Sequence, residues 1–151
     1  MIMKNNLFAF VAVLVLFTNA IVAQKVKKEK ILDGVNYEIT LVEENTKKET
    51  KAVPDLIKFK SGKLMSKYME DKFKFEKGDF TFVTDSTDVE NKKIHFNCDM
   101  VNETNETIKW DGDIEEDIIE GKIFWIKKDK KTKSDVIKKS FSFNGGIQKK
   151  R

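Results

Sequence analysis

His95 and Cys98 are the side chains with the most reactive chemistry in this chain: an imidazole that can exchange a proton or ligate a metal, and a thiol that, once ionised, is a nucleophile or a soft metal ligand. They are the single histidine and the single cysteine among 151 residues. In an extended strand, residues three apart point to opposite faces, so the two cannot form a Cys-His pair locally. No zinc ligand set assembles from them without carboxylates at a spacing the sequence lacks. A free cysteine is usually a small buried apolar residue, which predicts Cys98 inside and His95 outside. One cysteine also forms no disulfide within the chain, so the core must hold the fold by itself.

Carboxylates are the other candidates. Asp111, Asp113, Glu115, Glu116, Asp117 and Glu120 gather around one hairpin, and such groups serve acid-base hydrolysis or bind calcium. No D-x-D-x-D-G loop is present, and charged residues are what a solvated hairpin carries in any case. The expectation is therefore a non-catalytic protein with no cofactor and no metal site. Asn102-Glu103-Thr104 and Asn105-Glu106-Thr107 are tandem N-glycosylation sequons, with meaning only in a eukaryotic secretory pathway.

The elements that carry these residues alternate with period two. Eight short stretches between Val35 and Asn144 alternate apolar and polar residues, and Gly-, Asn- or Lys-rich turns separate them. This rhythm predicts an antiparallel meander. The predicted strands are Val35–Glu43, Asp55–Lys60, Lys63–Met69, Asp79–Asp85, Lys93–Val101, Thr107–Ile114, Ile118–Lys127 and Asp135–Asn144. Pro54 cannot donate to a ladder and marks a loop or strand edge. Glu70–Glu76 reads as a helical turn or a strand extension, with Phe73 and Phe75 at strand spacing. In the seventh strand Ile119, Ile123 and Trp125 share one parity and Phe124 and Ile126 the other, which leaves open whether both faces are covered. In the eighth, Ile137, Phe141 and Phe143 are predicted to face the same way.

Eight sequential strands left flat expose two long edges, an aggregation hazard that closure removes. The fold predicted is all-β: an eight-stranded antiparallel up-and-down β-barrel, with a sandwich as the alternative. Tyr37, Phe59, Phe80, Phe82, Phe96, Trp110, Trp125, Phe141 and Phe143 would then point inward. Nine large rings favour substantial filling, but a pocket at one mouth, where Trp110 and Trp125 stack on a flat apolar ligand, is a second reading. The candidate ligand-binding residues are Tyr37, Phe82, Phe96, Trp110, Trp125 and Phe141. A ligand site predicts a connected cavity whose lining includes Trp110 or Trp125, and a fully packed interior would count against it.

The opening Leu32-Asp33-Gly34-Val35-Asn36-Tyr37, the hairpin from Ile108-Lys109-Trp110-Asp111-Gly112 through Ile118-Ile119-Glu120-Gly121, and Trp125 resemble small exported bacterial proteins with a lipocalin-like, or calycin-like, β-barrel. The resemblance covers most of residues 32–144. It implies a lipocalin-like barrel, and most proteins of this looser pattern have no established activity. The Gly-x-Trp that lipocalins carry on the first strand is missing here.

Leu7–Phe17 is an uncharged apolar run preceded by Lys4 and followed by small residues. It reads as a signal peptide over residues 1–23, because a spanning helix needs about 20 apolar residues. Cleavage is expected after Ala23, or alternatively after Ala20, giving a periplasmic or secreted product with no stable membrane span. Residues 24–34 read as a flexible basic lead-in, 35–144 as the barrel and 145–151 as a basic tail. Removing the leader takes away Lys4 and no acidic residue, so the net charge falls from +4 to +3. That mild excess gives no basic stripe of the kind nucleic acid requires, and no nucleic-acid partner is expected. The partners expected are a small apolar or amphipathic ligand or, alternatively, anionic envelope surfaces met by the Lys-rich segments Lys128–Lys133 and Lys149–Arg151.

Overall fold

A computed structural model describes residues 31–45, 50–85 and 92–149. The leader, its cleavage after Ala23, the lead-in as far as Lys30, the turn residue Asn91 and the final Lys150 and Arg151 lie outside the described residues. The chain divides into a unit Met1–Asp33 and a unit Gly34–Arg151; the description below concerns the second.

Its strands are β1 (Asn36–Glu44), β2 (Val53–Lys60), β3 (Lys63–Ser66), β4 (Gly78–Thr84), β5 (Lys93–Val101), β6 (Thr107–Glu115), β7 (Ile118–Lys128) and β8 (Asp135–Ile147), with one helix, α1 (Lys67–Phe73), between β3 and β4. They pair in chain order and close into a barrel. All ladders are antiparallel, and the closing β1–β8 ladder runs from Tyr37 opposite Ile147 to Glu44 opposite Ser140. The predicted eight-stranded up-and-down barrel is the observed one. At the β2–β3 hairpin, Ser61 and Gly62 both have positive φ, 53° and 74°, the primed geometry that suits a two-residue turn.

Several elements differ from the sequence reading. β3 stops at Ser66, not Met69, because the Ser66 hydroxyl caps a helix by accepting from Met69 N at 3.1 Å. Lys74, at φ 59°, then ends that helix with its N–H on Glu70 O. Pro54 lies inside β2 opposite Thr40. β3 pairs with β2 only from Ile57 onwards, so Pro54 sits where β2 has no neighbour on that side, an edge position that tolerates proline.

Gly145 and Gly146 are in β8, not in a turn or tail. A Cβ on Gly145 would lie 2.1 Å from Glu38 O and 2.6 Å from Ile39 Cα, so glycine here is what lets β8 approach β1. Ile137 is exposed instead of facing the core. The β7–β8 register steps from Trp125–Lys139 to Ile126–Ile137; the extra residue, Lys138, forms a bulge that reverses the facing of what precedes it. On the outer face of β7, Phe124 and Ile126 are half-buried, so that face is only partly covered.

The inward faces form one apolar core. Eight of the nine rings predicted inward are buried, and Phe82 is half-buried. Phe59 is at its centre, edge-on to Phe80 at 5.0 Å, Phe96 at 5.3 Å and Tyr37 at 6.1 Å. Gly112 and Gly121 face each other across β6–β7 and make room for rings: a Cβ on Gly112 would meet Phe96 and Phe143 at 2.7 and 2.8 Å.

The two adjacent glycines of β8 should respond in opposite ways to the same substitution. Gly145→Ala forces a Cβ into the β1 backbone and is expected to cost about 1–3 kcal/mol, the usual penalty of overpacking. Gly146→Ala meets nothing nearer than Asp117 O at 3.5 Å and should stay within about 0.5 kcal/mol of the parent. Urea unfolding midpoints of the two variants check this; equal losses would show that β8 is not held to β1 by close backbone contact.

Candidate functional site

Strands alone do not seal one end of the barrel. The β3–β4 ladder consists of two positions, Lys63 opposite Asp79 and Leu64 opposite Gly78. Between them the chain leaves the wall, forms α1 and returns through Phe75, which bridges to Asn102. α1 packs on β2 and β3. Met69 and Phe75 are fully buried and Phe73 half-buried, and the Phe73 and Phe75 rings stand edge-on to Trp125 at 4.7 and 5.1 Å. Side chains of residues 67–75 thus plug this end, with Trp125 as the floor they rest on.

Polar groups fix both the plug and its floor. The buried Asp55 carboxylate accepts from Ser66 Oγ at 2.5 Å, Leu56 N at 2.7 Å and Tyr68 N at 2.8 Å, tying the start of α1 to β2. Trp125 Nε1 donates to Glu106 Oε2 at 2.7 Å. Lys138, carried by the bulge, reaches both Glu106 oxygens at 3.1 Å and lies 4.4 Å from the Trp125 ring centre, a cation–π arrangement. Burial pushes the Glu106 carboxyl up, but the hydrogen bonds from Lys138 and Trp125 outweigh it and hold the group below its usual value. The Asn102 side-chain oxygen accepts from Thr104 N and Glu106 N and so shapes the turn that presents Glu106.

One layer further in, Ile123 pairs with Trp110, as Trp125 pairs with Ile108. Trp110 is 1 % exposed, tilted against Phe143 at 5.2 Å, and opposite Cys98 on β5. Its Nε1 is enclosed and has no acceptor, the one such buried side-chain atom among the described residues. Burial pushes the Cys98 thiol up to about 12, with Asp99 and Asp79 adding to it; a thiol held neutral is a poor nucleophile.

The six sequence-predicted ligand residues do not converge on one cavity. Trp110, Trp125 and Phe141 belong to the α1 half, Phe82 and Phe96 face each other across β4–β5 further along, and Tyr37 is at the opposite end, where burial pushes its hydroxyl up to about 12 with a further contribution from Asp117. Five surface concavities among the described residues have neither Trp110 nor Trp125 in their linings. Those open on the outer wall, among them one of about 530 Å³ over Asp111, Glu120 and Phe124, one of about 620 Å³ over Lys58, Lys60 and Lys77, and one of about 410 Å³ beside α1 between Pro54 and Tyr68. The reason is the plug, whose side chains occupy the space above Trp125. Met69, Phe73, Phe75, Glu106 and Lys138 were not read as site residues from the sequence; the one signal for the plug was the pair Phe73 and Phe75 at spacing two in a segment that reads as a helical turn or a strand extension.

The reactive residues of the sequence reading are apart. His95 is on the outer wall, with Nδ1 2.8 Å from Asp113 and Nε2 3.5 Å from Asp111, whereas Cys98 points inward. The acidic hairpin is on the outside as well, and among the described residues no group of His, Cys, Asp or Glu side chains could hold a metal ion. No helix of the described residues is long and apolar enough to cross a membrane.

Comparison with known proteins gives no relative: no family model matches the chain, and no curated protein or solved structure is significantly similar to it.

Glu106 offers a pH test. A carboxylate held below its ordinary value of 4.5 stabilises the fold above that value, and the contribution is lost as pH falls through the lowered one. Glu106→Gln keeps an acceptor for Trp125 but loses the charge. The variant should be less stable than the parent at pH 7, with the gap closing below about pH 4.5. Urea midpoints at pH 7 and pH 3 measure it; a gap that ignores pH would mean that packing, not the Lys138 pairing, is what Glu106 supplies.

Proposed function

We propose that this chain is an exported, non-catalytic binding barrel of lipocalin-like architecture that takes up a small apolar or amphipathic molecule at the α1 end. The observation that carries the reading is the plug: this end is closed by the buried Met69 and by Phe73 and Phe75, whose rings rest on Trp125, not by paired strands. A ligand that displaces these three side chains gains the apolar surface they leave, above Trp125 and Trp110, and contact by shape and burial is how such sites hold their ligands. The signal-like leader supports export. The displaced cysteine–histidine chemistry and the solvated acidic hairpin support a role without catalysis.

A second reading has its own observation. In the β7–β8 loop, the Asp129 side chain accepts from Lys131 N and Thr132 N at 2.8 Å, and Lys128 pairs with Asp135. The loop is shaped by these bonds, while Lys130, Lys131 and Lys133 stay exposed and form no ion pair with a described residue. Such a loop suits anionic envelope surfaces, with the barrel as scaffold.

Native mass spectrometry of the protein purified from its own host's envelope separates the two. A reproducible adduct of a few hundred daltons, lost on denaturation, is the expected result. A bare mass, together with salt-sensitive binding to anionic vesicles that weakens when the loop lysines are neutralised, would replace the binding barrel with the scaffold.

The plug itself has a separate test. Asp55→Ala leaves the Ser66 and Tyr68 donors without their acceptor, a loss worth about 1–3 kcal/mol. Amide exchange at Tyr68 and Met69 should then quicken by roughly tenfold or more, with β5 unchanged. Uniform quickening throughout would show that α1 does not open separately from the barrel.

A further inference from the structure

We infer that the interior site beneath α1 selects neutral molecules bearing an acceptor oxygen, such as a ketone or an ester, and that Trp110 Nε1 is the group that recognises it. The inference rests on the binding reading above and sharpens it from apolar cargo to a chemical class.

The two tryptophans of the chain provide the comparison. Both face inward on neighbouring strands, one layer apart. Trp125 Nε1 has a carboxylate acceptor at 2.7 Å, whereas Trp110 Nε1 is enclosed and has none. A buried indole N–H normally has a partner. The side chains around Trp110 offer no good acceptor: its cross-strand neighbours are Cys98 and Ile123, the nearest ring is Phe143, and Glu106 is engaged by Trp125 and Lys138.

Position adds a second constraint. Trp110 lies one layer below Trp125, the ring on which Phe73 and Phe75 rest, so its indole is in the layer that a molecule displacing the plug approaches. Charge adds a third. The buried polar side chains among the described residues are Asp55, Ser66 and Ser140, and none is a cation. The ammonium over Trp125, that of Lys138, is already paired with both Glu106 oxygens, so a carboxylate entering the barrel would have one N–H to face and no free positive charge to pair with, an unfavourable exchange for its hydration. An oxygen that only accepts, on a neutral frame, satisfies Trp110 and brings no unmatched group of its own.

Three probes with one ring system separate these terms: naphthalene, 2-acetylnaphthalene and 2-naphthoate, titrated into the leaderless chain labelled with ¹⁵N at tryptophan, with both indole resonances assigned. The expected result is that 2-acetylnaphthalene binds about fivefold tighter than naphthalene, the worth of one net hydrogen bond, and moves the Trp110 indole proton downfield. 2-Naphthoate should bind at least about tenfold more weakly than the ketone. Trp110→Phe should erase the preference between the two neutral probes. If that variant does not fold, the parent's indole shift and the three affinities still decide.

Equal affinities for the three probes, or binding with the Trp110 resonance unmoved, would overturn the acceptor inference and leave the binding barrel standing. A water bound to Trp110 Nε1 in the free and the saturated protein alike would overturn it too. Absence of binding by all three, with a bare mass from the host, would remove the binding reading and this inference with it.

Discussion

The β1–β8 ladder that closes the barrel fixes its circumference, and an eight-stranded barrel of that kind encloses a space about wide enough for side chains to fill. This chain sends nine aromatic rings towards that space. The rest of the interior is arranged around them: Gly112 and Gly121 withdraw their side chains where Phe96 and Phe143 need room, and Gly145 brings β8 close enough to β1 for the ladder to close at all. Edge-on contacts of Phe59 with three other rings satisfy the preferred aromatic geometry. With no disulfide available to the single Cys98, this packing is what holds the fold.

Filling is uneven along the axis. Over most of its length the barrel is lined by strand residues that cannot leave without breaking ladders. At the α1 end the lining is supplied by a seven-residue helix. A helix that short is marginal by itself, so α1 persists through its Ser66 cap, the Asp55 hydrogen bonds and the burial of Met69. All three belong to the β2–β3–α1 segment. The polar clasp of Glu106, Lys138 and Trp125 has the complementary role of keeping the floor in place whatever covers it.

The parts of this architecture legible in the sequence are those set by period two. β5 alternates without interruption from Ile94 to Met100, and its bounds, its inward face and the separation of His95 from Cys98 all follow from that alternation. What was not legible depends on contacts between distant residues. Gly145-Gly146 has the local composition of a turn, and only the approach of Glu38 reveals why glycine is needed in a strand. Ile137 has core parity, yet one extra residue at Lys138 reverses it, and a bulge has no marker in a single sequence. Lys67–Phe73 alternates poorly and caps well, a conflict that Ser66 resolves in favour of the helix. The plug, and the partnerless Trp110 N–H beneath it, arise from the meeting of β3, α1, β6 and β7, and no local pattern encodes them.

The same plug sets the terms on which any interior ligand is bound. Exposing Met69 and Phe75 forfeits about 1.5–3 kcal/mol for each side chain, so the open form of an empty barrel is a minor state, roughly one molecule in a hundred or fewer. A ligand's apparent affinity is reduced by that fraction. The loss is recovered when the ligand covers a similar apolar area, because it then replaces one set of contacts with another over the same Trp125 surface. Selectivity cannot come from that exchange, since any apolar body of the right size makes it equally well. It has to come from a group that the plug leaves unsatisfied and the ligand can satisfy. Among the described residues the buried side-chain group without a partner is the Trp110 indole N–H, and under the proposed function it is the group that would select.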